Sequence, residues 1–339
     1  TARHRPPAGG PTPHTAERYS QCNLQMTIIS NSITMRTSVF LILLAFEFSY
    51  SSCGQNRNSI TVDVRYNRTY VTIQIGQYTI PNILLDTGFS YDGLMLFNSS
   101  YRDSLDISQA VEVRVGGAGS GEAPRALMID SLTFCIGSVK MVNQPVIIMQ
   151  ENIGMGSNGI IGYSIFGHYK TEFDYDKNTM TLYKSDYLQI DSSWTSIPMY
   201  FKNNNIPWID ASVKIESEEP VQLSMYIDFA AGNEIVLLEK SDMKFTIPKE
   251  TKEIFIGRGL SGDIYGKSGI ISKLIIGPYE LHNLNASFAD AKVRSKQDKA
   301  DAIIGNALLR KFNLIFDYSN RRLYLKQNSN FKNQVRPHE

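Results

Sequence analysis

Through most of the chain, apolar residues return at every second position, in runs too short to make helices. Ile60, Val62 and Val64 alternate with Thr61 and Asp63, and Val71, Ile73 and Ile75 resume the alternation after Asn67-Arg68. A period of two in β-branched residues predicts a hairpin. Pro81 introduces the apolar strand Ile83 to Leu85, and Leu94 to Phe97 is a further strand. Val111 to Val115 alternates again and runs into Gly116-Gly117-Ala118-Gly119-Ser120-Gly121, whose glycines predict a flexible turn at a hairpin tip. It is not a phosphate loop, because neither a GK[ST] ending nor a helical period follows. Strands continue over Leu127 to Ile136 and Pro145 to Met149, and a short helix fits after Gly162.

The segment that closes this series occurs twice. Gly159-Ile160-Ile161-Gly162 precedes the short helix, the strand Glu172-Phe173-Asp174-Tyr175 and a polar turn; Ala302-Ile303-Ile304-Gly305 precedes Ala307-Leu308-Leu309, the strand Ile315-Phe316-Asp317-Tyr318 and another polar turn. Gly162 and Asp174 are 12 positions apart, as are Gly305 and Asp317. A full repeat predicts a counterpart to Asp86, the acid that ends Ile83-Leu84-Leu85. Asp86 stands 76 positions before Gly162; the position 76 before Gly305 is Phe229, and its neighbour Asp228 ends the apolar run Met225-Tyr226-Ile227. A second Gly-rich stretch contains Gly257, Gly259 and Gly262, with Gly257 29 positions after Asp228, against 30 from Asp86 to Gly116. Phe134-Cys135-Ile136-Gly137 matches Ile275-Ile276-Gly277. Two lobes follow, 59–185 and 195–327, each long enough for its own core, with a polar tail at 328–339.

Composition narrows the partners. Lys plus Arg (34) and Asp plus Glu (33) nearly cancel, which excludes a nucleic-acid-binding surface of the usual basic kind. The 18 Tyr and 16 Phe suit β-structure. The first 34 residues do not share the pattern of the rest and read as a disordered or mis-started leader. Met35-Arg36, the apolar stretch Val39 to Phe46 and the small residues before Cys53 read as a signal segment, 35–53, too short to span a bilayer. Cys53 is then either the lipidated residue of an exported lipoprotein or a residue near an ordinary cleavage site. Cys135, the remaining Cys of the body, reads as a small buried hydrophobe. No CxxC, HExxH or clustered His points to a metal, and His168 and His282 read as isolated surface or structural residues.

An acid at the end of a buried strand is costly unless something uses it. Two such acids, brought together by a pseudo-twofold, cannot both ionise, so the pair shares a proton. One carboxylate then serves as base toward water and the other as acid toward a carbonyl. Leu84-Leu85-Asp86-Thr87-Gly88, Gly159-Ile160-Ile161-Gly162 and Ile303-Ile304-Gly305 with Leu308-Leu309 resemble the aspartic proteases, the two-lobed pepsin-like or retropepsin-like exported proteins of Bacteroidetes-type bacteria. The resemblance implies an all-β fold of two pseudo-twofold-related β-barrel lobes, each with a short helix near its C-terminal end. It implies Asp86 and Asp228 as the catalytic pair, supported by Thr87, Gly88, Ser90 and Gly232. Hairpins at Gly116, Gly117 and Gly119, and at Gly257 and Gly259, would cover the substrate. A peptide or protein substrate, no cofactor, a monomer, and an exported site in the periplasm or at the outer membrane, touching the membrane only through a lipid anchor, follow in the same way.

The second lobe departs from the motif. Asp228-Phe229-Ala230-Ala231-Gly232 stands where the first has Asp-Thr-Gly, so Phe229 lacks the hydroxyl that Thr87 offers across the lobes and Ala230 adds a methyl opposite Gly88. Gly232 is expected to restore freedom to that turn. An aspartic endopeptidase is the leading expectation. A catalytically silent module that binds peptide or glycan at the cell envelope is the alternative, and strand-end acids with a merely structural role are a third. Asp174 and Asp317 read as turn caps and Tyr265 as a packing residue.

Overall fold

The computed structural model describes residues 57–332 apart from 120, 185–187, 203, 241 and 291–299. The expected leader 1–34, the expected signal segment 35–53 with Cys53, and residues 333–339 lie outside the described residues. In chain order the first half contains β1 (Arg57–Thr61), β2 (Asp63–Arg65), β3 (Arg68–Ile75), β4 (Tyr78–Leu85), β5 (Leu94–Leu96), β6 (Val111–Arg114), β7 (Arg125–Ile136), β8 (Val139–Met149), β9 (Gly159–Ile161), α1 (Tyr163–Phe166), β10 (Lys170–Asp174) and β11 (Thr179–Tyr183). The second half contains β12 (Thr195–Pro198), β13 (Tyr200–Phe201), β14 (Pro207–Lys214), β15 (Val221–Asp228), β16 (Ile235–Leu238), β17 (Lys252–Gly259), β18 (Gly262–Ile276), β19 (Tyr279–Ala289), β20 (Ala302–Gly305), α2 (Asn306–Leu309), β21 (Phe312–Asp317), β22 (Arg322–Gln327) and α3 (Ser329–Lys332). The fold is mostly β, and no helix among the described residues is long and apolar enough to cross a membrane.

Two eight-stranded sheets share one strand order. The first runs β2-β3-β4-β9-β5-β8-β7-β6, and a further β3–β7 pairing closes six of its strands into a barrel. The second runs β13-β14-β15-β20-β16-β19-β18-β17, closed in the same way by β14–β18. In each, one strand slots between others: β9 pairs parallel to β4 and antiparallel to β5, and β20 pairs parallel to β15 and antiparallel to β16. A third sheet, β1-β11-β10-β21-β22-β12, takes three strands from each half and joins them by antiparallel pairing of β10 with β21.

The apolar run before Asp86 is uninterrupted because both faces of β4 are covered. Ile83 and Leu85 point into the barrel with Ile73, Leu94, Leu96 and Ile161, while Leu84 lies on the other face with Tyr70, Met95, Phe97 and Ile160. The second half repeats this: Met225 and Ile227 face inward, and Tyr226 lies outside with Trp208, Val236, Leu238 and Ile303. A strand buried on both sides reads as continuous hydrophobicity, not as alternation.

Several expectations change in detail. Ile60 and Val64 do not share one strand of a hairpin: β1 leaves to pair with β11, and only the short β2 pairs with β3. Alternation marks a strand but does not choose its neighbour. Pro81 does not start β4 but lies within it, where Val71 pairs with Ile83 and Ile73 with Ile80. The extra residue makes a bulge, with Asn82 at φ 59°, and a bulge tolerates proline's missing N–H. Within the polar tail 328–339, the described residues 328–332 pack against the body. Asn328 is buried and donates to the Arg310 carbonyl (3.0 Å), and the Phe331 ring lies 5.1 Å from that of Phe312. Cys135 is only half-buried.

Candidate active site

Asp86 follows the last residue of β4, and Asp228 ends β15. The strand that slots beside each fixes the depth at which the acid emerges. Asp86 N–H donates to the Ile161 carbonyl (3.0 Å), and Asp228 pairs with Gly305. Neither Gly162 nor Gly305 could carry a side chain. A Cβ on Gly162 would fall 2.2 Å from the Asp86 carbonyl oxygen, and one on Gly305 2.2 Å from that of Asn233. The repeated aliphatic-aliphatic-Gly motif is therefore the floor on which each acidic loop rests.

The two loops have different sequences and close the same turn. After Asp86, Phe89 N–H closes a turn onto the Asp86 carbonyl (3.2 Å), and Gly88 N–H donates to the carboxylate Oδ1 (2.7 Å). After Asp228, Ala231 N–H closes the matching turn (3.2 Å), and the N–H groups of Ala230 and Ala231 donate to Oδ1 at 3.1 and 3.0 Å. The carboxyl group orders its own loop, so replacing Thr-Gly by Phe-Ala leaves the turn intact.

Gly88 is the point where the acids meet. A Cβ there would lie 3.0 Å from Asp86 Oδ1 and 3.8 Å from Asp228 Oδ2. Both carboxyl groups thus flank one small volume, and a side chain at position 88 would fill it. Burial pushes the Asp228 carboxyl above the usual carboxylate range, against the lowering pull of the two backbone N–H groups and of the nearby Arg68 guanidinium. Tyr318, buried close to Asp86, has its phenol pushed well up, first by burial and then by the negative charge of Asp86. Among the described residues no three His, Cys, Asp or Glu side chains group so as to hold a metal ion.

Thr87 reaches across the halves. Its hydroxyl donates to the Ile227 carbonyl (2.7 Å) and accepts from Phe229 N–H (3.0 Å), and the residue is 2% exposed. The mirror-image bonds cannot come from Phe229, which has no hydroxyl. Its ring turns away from the acids into a cluster of aromatic residues, with Phe173 at 4.7 Å and Phe166 and Phe316 each at 5.8 Å. Ala230 packs against the apolar layer of the first barrel.

The other predicted residues take varied places. Ser90 contributes its carbonyl, which accepts from Asn205 of the second half (3.2 Å). Gly232 is not in a left-handed conformation. Its small size admits the Tyr66 carbonyl, which a Cβ would approach to 3.0 Å. The two Gly-rich tips meet each other. Ser261 N–H donates to the Ala118 carbonyl (2.8 Å), Gly121 N–H donates to the Ser261 carbonyl, and Gly117 N–H donates to Ser261 Oγ (3.3 Å). Gly119 and Gly259 sit within this contact: a Cβ on Gly259 would fall 2.1 Å from the Ala118 carbonyl oxygen, and one on Gly119 2.3 Å from the Ser261 carbonyl carbon. A Cβ on Gly116 or Gly257 would meet nothing within 4 Å. Leu260 crosses from the second tip onto the apolar layer of the first barrel.

Asp174 and Asp317 cap turns, accepting from Lys177 N–H (3.2 Å) and Asn320 N–H (3.0 Å). His168 is at the surface but not isolated, lying 2.8 Å from Asp92. Tyr265 is 60% exposed and meets the Phe255 ring at 5.5 Å, so it is not the packing residue expected. Sequence reasoning did not find Arg68, Asn205, Leu260 or Ser261, which act across more than a hundred residues of chain and carry no local signal. Comparison with protein-family models gives no match to this chain, and comparison with curated proteins gives none either.

Proposed function

We propose that the chain is an aspartic-type peptidase in which Asp86 and Asp228 activate water against a peptide carbonyl, carried by two pepsin- or retropepsin-like lobes. The observation that carries this reading is the pair of carboxyl groups flanking one point beside Gly88, one of them raised by burial. Such a pair holds one proton between two oxygens at mildly acid pH. The ionised carboxylate takes a proton from water as the water oxygen bonds to the carbonyl carbon. The protonated carboxyl gives its proton to the carbonyl oxygen, leaving a neutral tetrahedral diol. Collapse of the diol breaks the C–N bond: the ionised carboxylate takes one hydroxyl proton while the protonated carboxyl gives its proton to the departing amine, which leaves a carboxylic acid product and a dyad that again holds one proton.

The loops support this role by holding the acids from below through backbone N–H groups and across the halves through Thr87. The joined tips at Ala118 and Ser261 must part to admit an extended peptide and then close over it, excluding water. In the same reading the segment before Cys53 exports the protein, and Cys53 carries its lipid.

The test is peptide cleavage by the purified full chain across a diverse library between about pH 3 and 7. Asp86→Asn and Asp228→Asn should each lower kcat by roughly 1,000-fold or more with folding intact by circular dichroism. A wild-type chain that cleaves nothing, or an Asp228→Asn variant as active as wild type, overturns the proposal. The alternative of a silent peptide-binding module draws on the missing Phe229 hydroxyl and would be marked by peptide binding that survives both substitutions.

A further inference from the structure

The grip between the halves is one-sided: Thr87 bonds to the Asp228 loop, but Phe229 has no hydroxyl to bond back. The unreturned bond leaves the motif with only one of its two hydroxyl links between the halves. What lies against that loop is the two-residue turn between β2 and β3. Tyr66 and Asn67 both have positive φ, 50° and 58°, and Arg65 pairs with Arg68, which is the geometry of a tight hairpin turn. From this turn Arg68 Nε donates to the Ala230 carbonyl (3.0 Å), and Asn67 Nδ2 donates to the Gly232 carbonyl (3.2 Å). Arg310 Nη1 holds Asn67 from behind, donating to its Oδ1 (2.9 Å). The next residue, Thr69, accepts from Asn306 Nδ2 (3.1 Å) and lies 3.3 Å from the Tyr175 hydroxyl, which donates to Asn306 Oδ1 (2.9 Å). Asn306 follows Gly305, the partner of Asp228.

The other side of the pseudo-twofold supplies the control. Tyr70 pairs with Leu84 and Trp208 with Tyr226, so Arg68 and Ile206 occupy equivalent positions, as do Asn67 and Asn205. Asn205 donates to the Ser90 carbonyl (3.2 Å), matching Asn67 and Gly232. The Ile206 side chain has no donor, and its backbone N–H donates to Asn204 Oδ1 (3.2 Å). The loop that keeps its threonine is held by one asparagine; the loop that lost it is held by an asparagine and an arginine.

We propose that Arg68, seconded by Asn67, takes the place of the absent hydroxyl bond and is a positioning residue for Asp228. This rests on the peptidase reading for its kinetic consequence, though not for its structural one. Arg68 also brings a permanent positive charge, which the lost hydroxyl never had, next to the acid pair. Among the described residues, the charged and titratable groups near Asp228 include Asp86, Arg68 and, beside Asp86, Tyr318 with Tyr163; Arg310 stands behind Asn67. A fixed cation favours the ionised form, so its removal moves both limbs of a pH–rate profile to higher pH.

The experiment uses the full chain with Arg68→Met, Arg68→Lys and Asn67→Gly, the glycine chosen because it keeps the left-handed turn. In Arg68→Met, amide hydrogen exchange at 229–232 should quicken by about tenfold or more while the barrel strands stay protected. The carboxyl 13C titration of the Asp86–Asp228 pair should move up, and kcat should fall about 10- to 100-fold with KM nearly unchanged. Arg68→Lys should restore the titration but not the slow exchange, because lysine returns the charge without the directed N–H. Unchanged exchange and titration in Arg68→Met overturn the proposal, as does a uniform rise in exchange over the whole molecule. If Arg68→Met does not fold, Asn67→Gly decides on the exchange of the same loop. A wild type without peptidase activity refutes the functional reading alone, since exchange and titration still judge Arg68.

Discussion

Asp228 is pulled two ways, upward by burial and downward by two amides and a guanidinium, and burial prevails. A carboxyl raised in the folded state binds more protons than it does unfolded. Its contribution to stability is therefore full below the unfolded value of about 4 and is lost as pH rises toward the raised folded value. Asp301 and Asp317, held low by partners that outweigh their burial, act in the opposite sense, their stabilisation being lost as pH falls. The difference between wild type and Asp228→Asn isolates the first effect. Urea midpoints taken from pH 4 to pH 7 should show the variant gaining on wild type as pH rises, by up to about 1.4 kcal/mol for each unit of raised pKa. A flat difference would mean that Asp228 titrates normally. The existence of this acid was legible from spacing alone, because the repeat distance from the aliphatic-aliphatic-Gly motif points within one residue of it. Its environment was not, since Arg68 lies 160 positions upstream with nothing local to mark it.

At the level of elements, position 229 belongs to the joining sheet more than to the loop it follows. Its ring meets Phe173 on β10, Phe316 on β21 and Phe166 on α1, all fully buried. Restoring the motif with Phe229→Thr would return a hydroxyl but empty a ring-sized space. The variant should lose on the order of 3 kcal/mol, read as a lower urea midpoint, despite matching the first half more closely. A gain in stability would show that the hydroxyl bond outweighs the packing. From sequence, Phe229 reads as damage to a grip, because the motif reports what is missing and not what the replacement touches. The hairpins and the short helix after Gly162 were readable for the opposite reason: alternation and glycine spacing are properties of neighbouring residues. The partners of β1 and the meeting of the two Gly-rich tips depend on the whole fold and left no such trace.

Across the whole molecule, the two barrels share one sheet, and the central pairing of β10 with β21 involves strands that are themselves equivalent by the repeat. Thr171 faces Phe316, Glu172 faces Ile315 and Phe173 faces Leu314. A fragment of residues 57–184 would complete its barrel but leave that flank of β10 bare. It should associate through β10 into a symmetric dimer, seen as concentration-dependent mass in sedimentation. A folded monomer at high concentration would count against the joining sheet as the adhesive. The same pairing sets a timetable for synthesis. When the ribosome has delivered the first barrel, β10 still waits for β21, which is made only after the strands of the second barrel. Through that interval the nascent protein presents an open hydrogen-bonding edge, and crowding among chains on one message then favours pairing with the wrong β10.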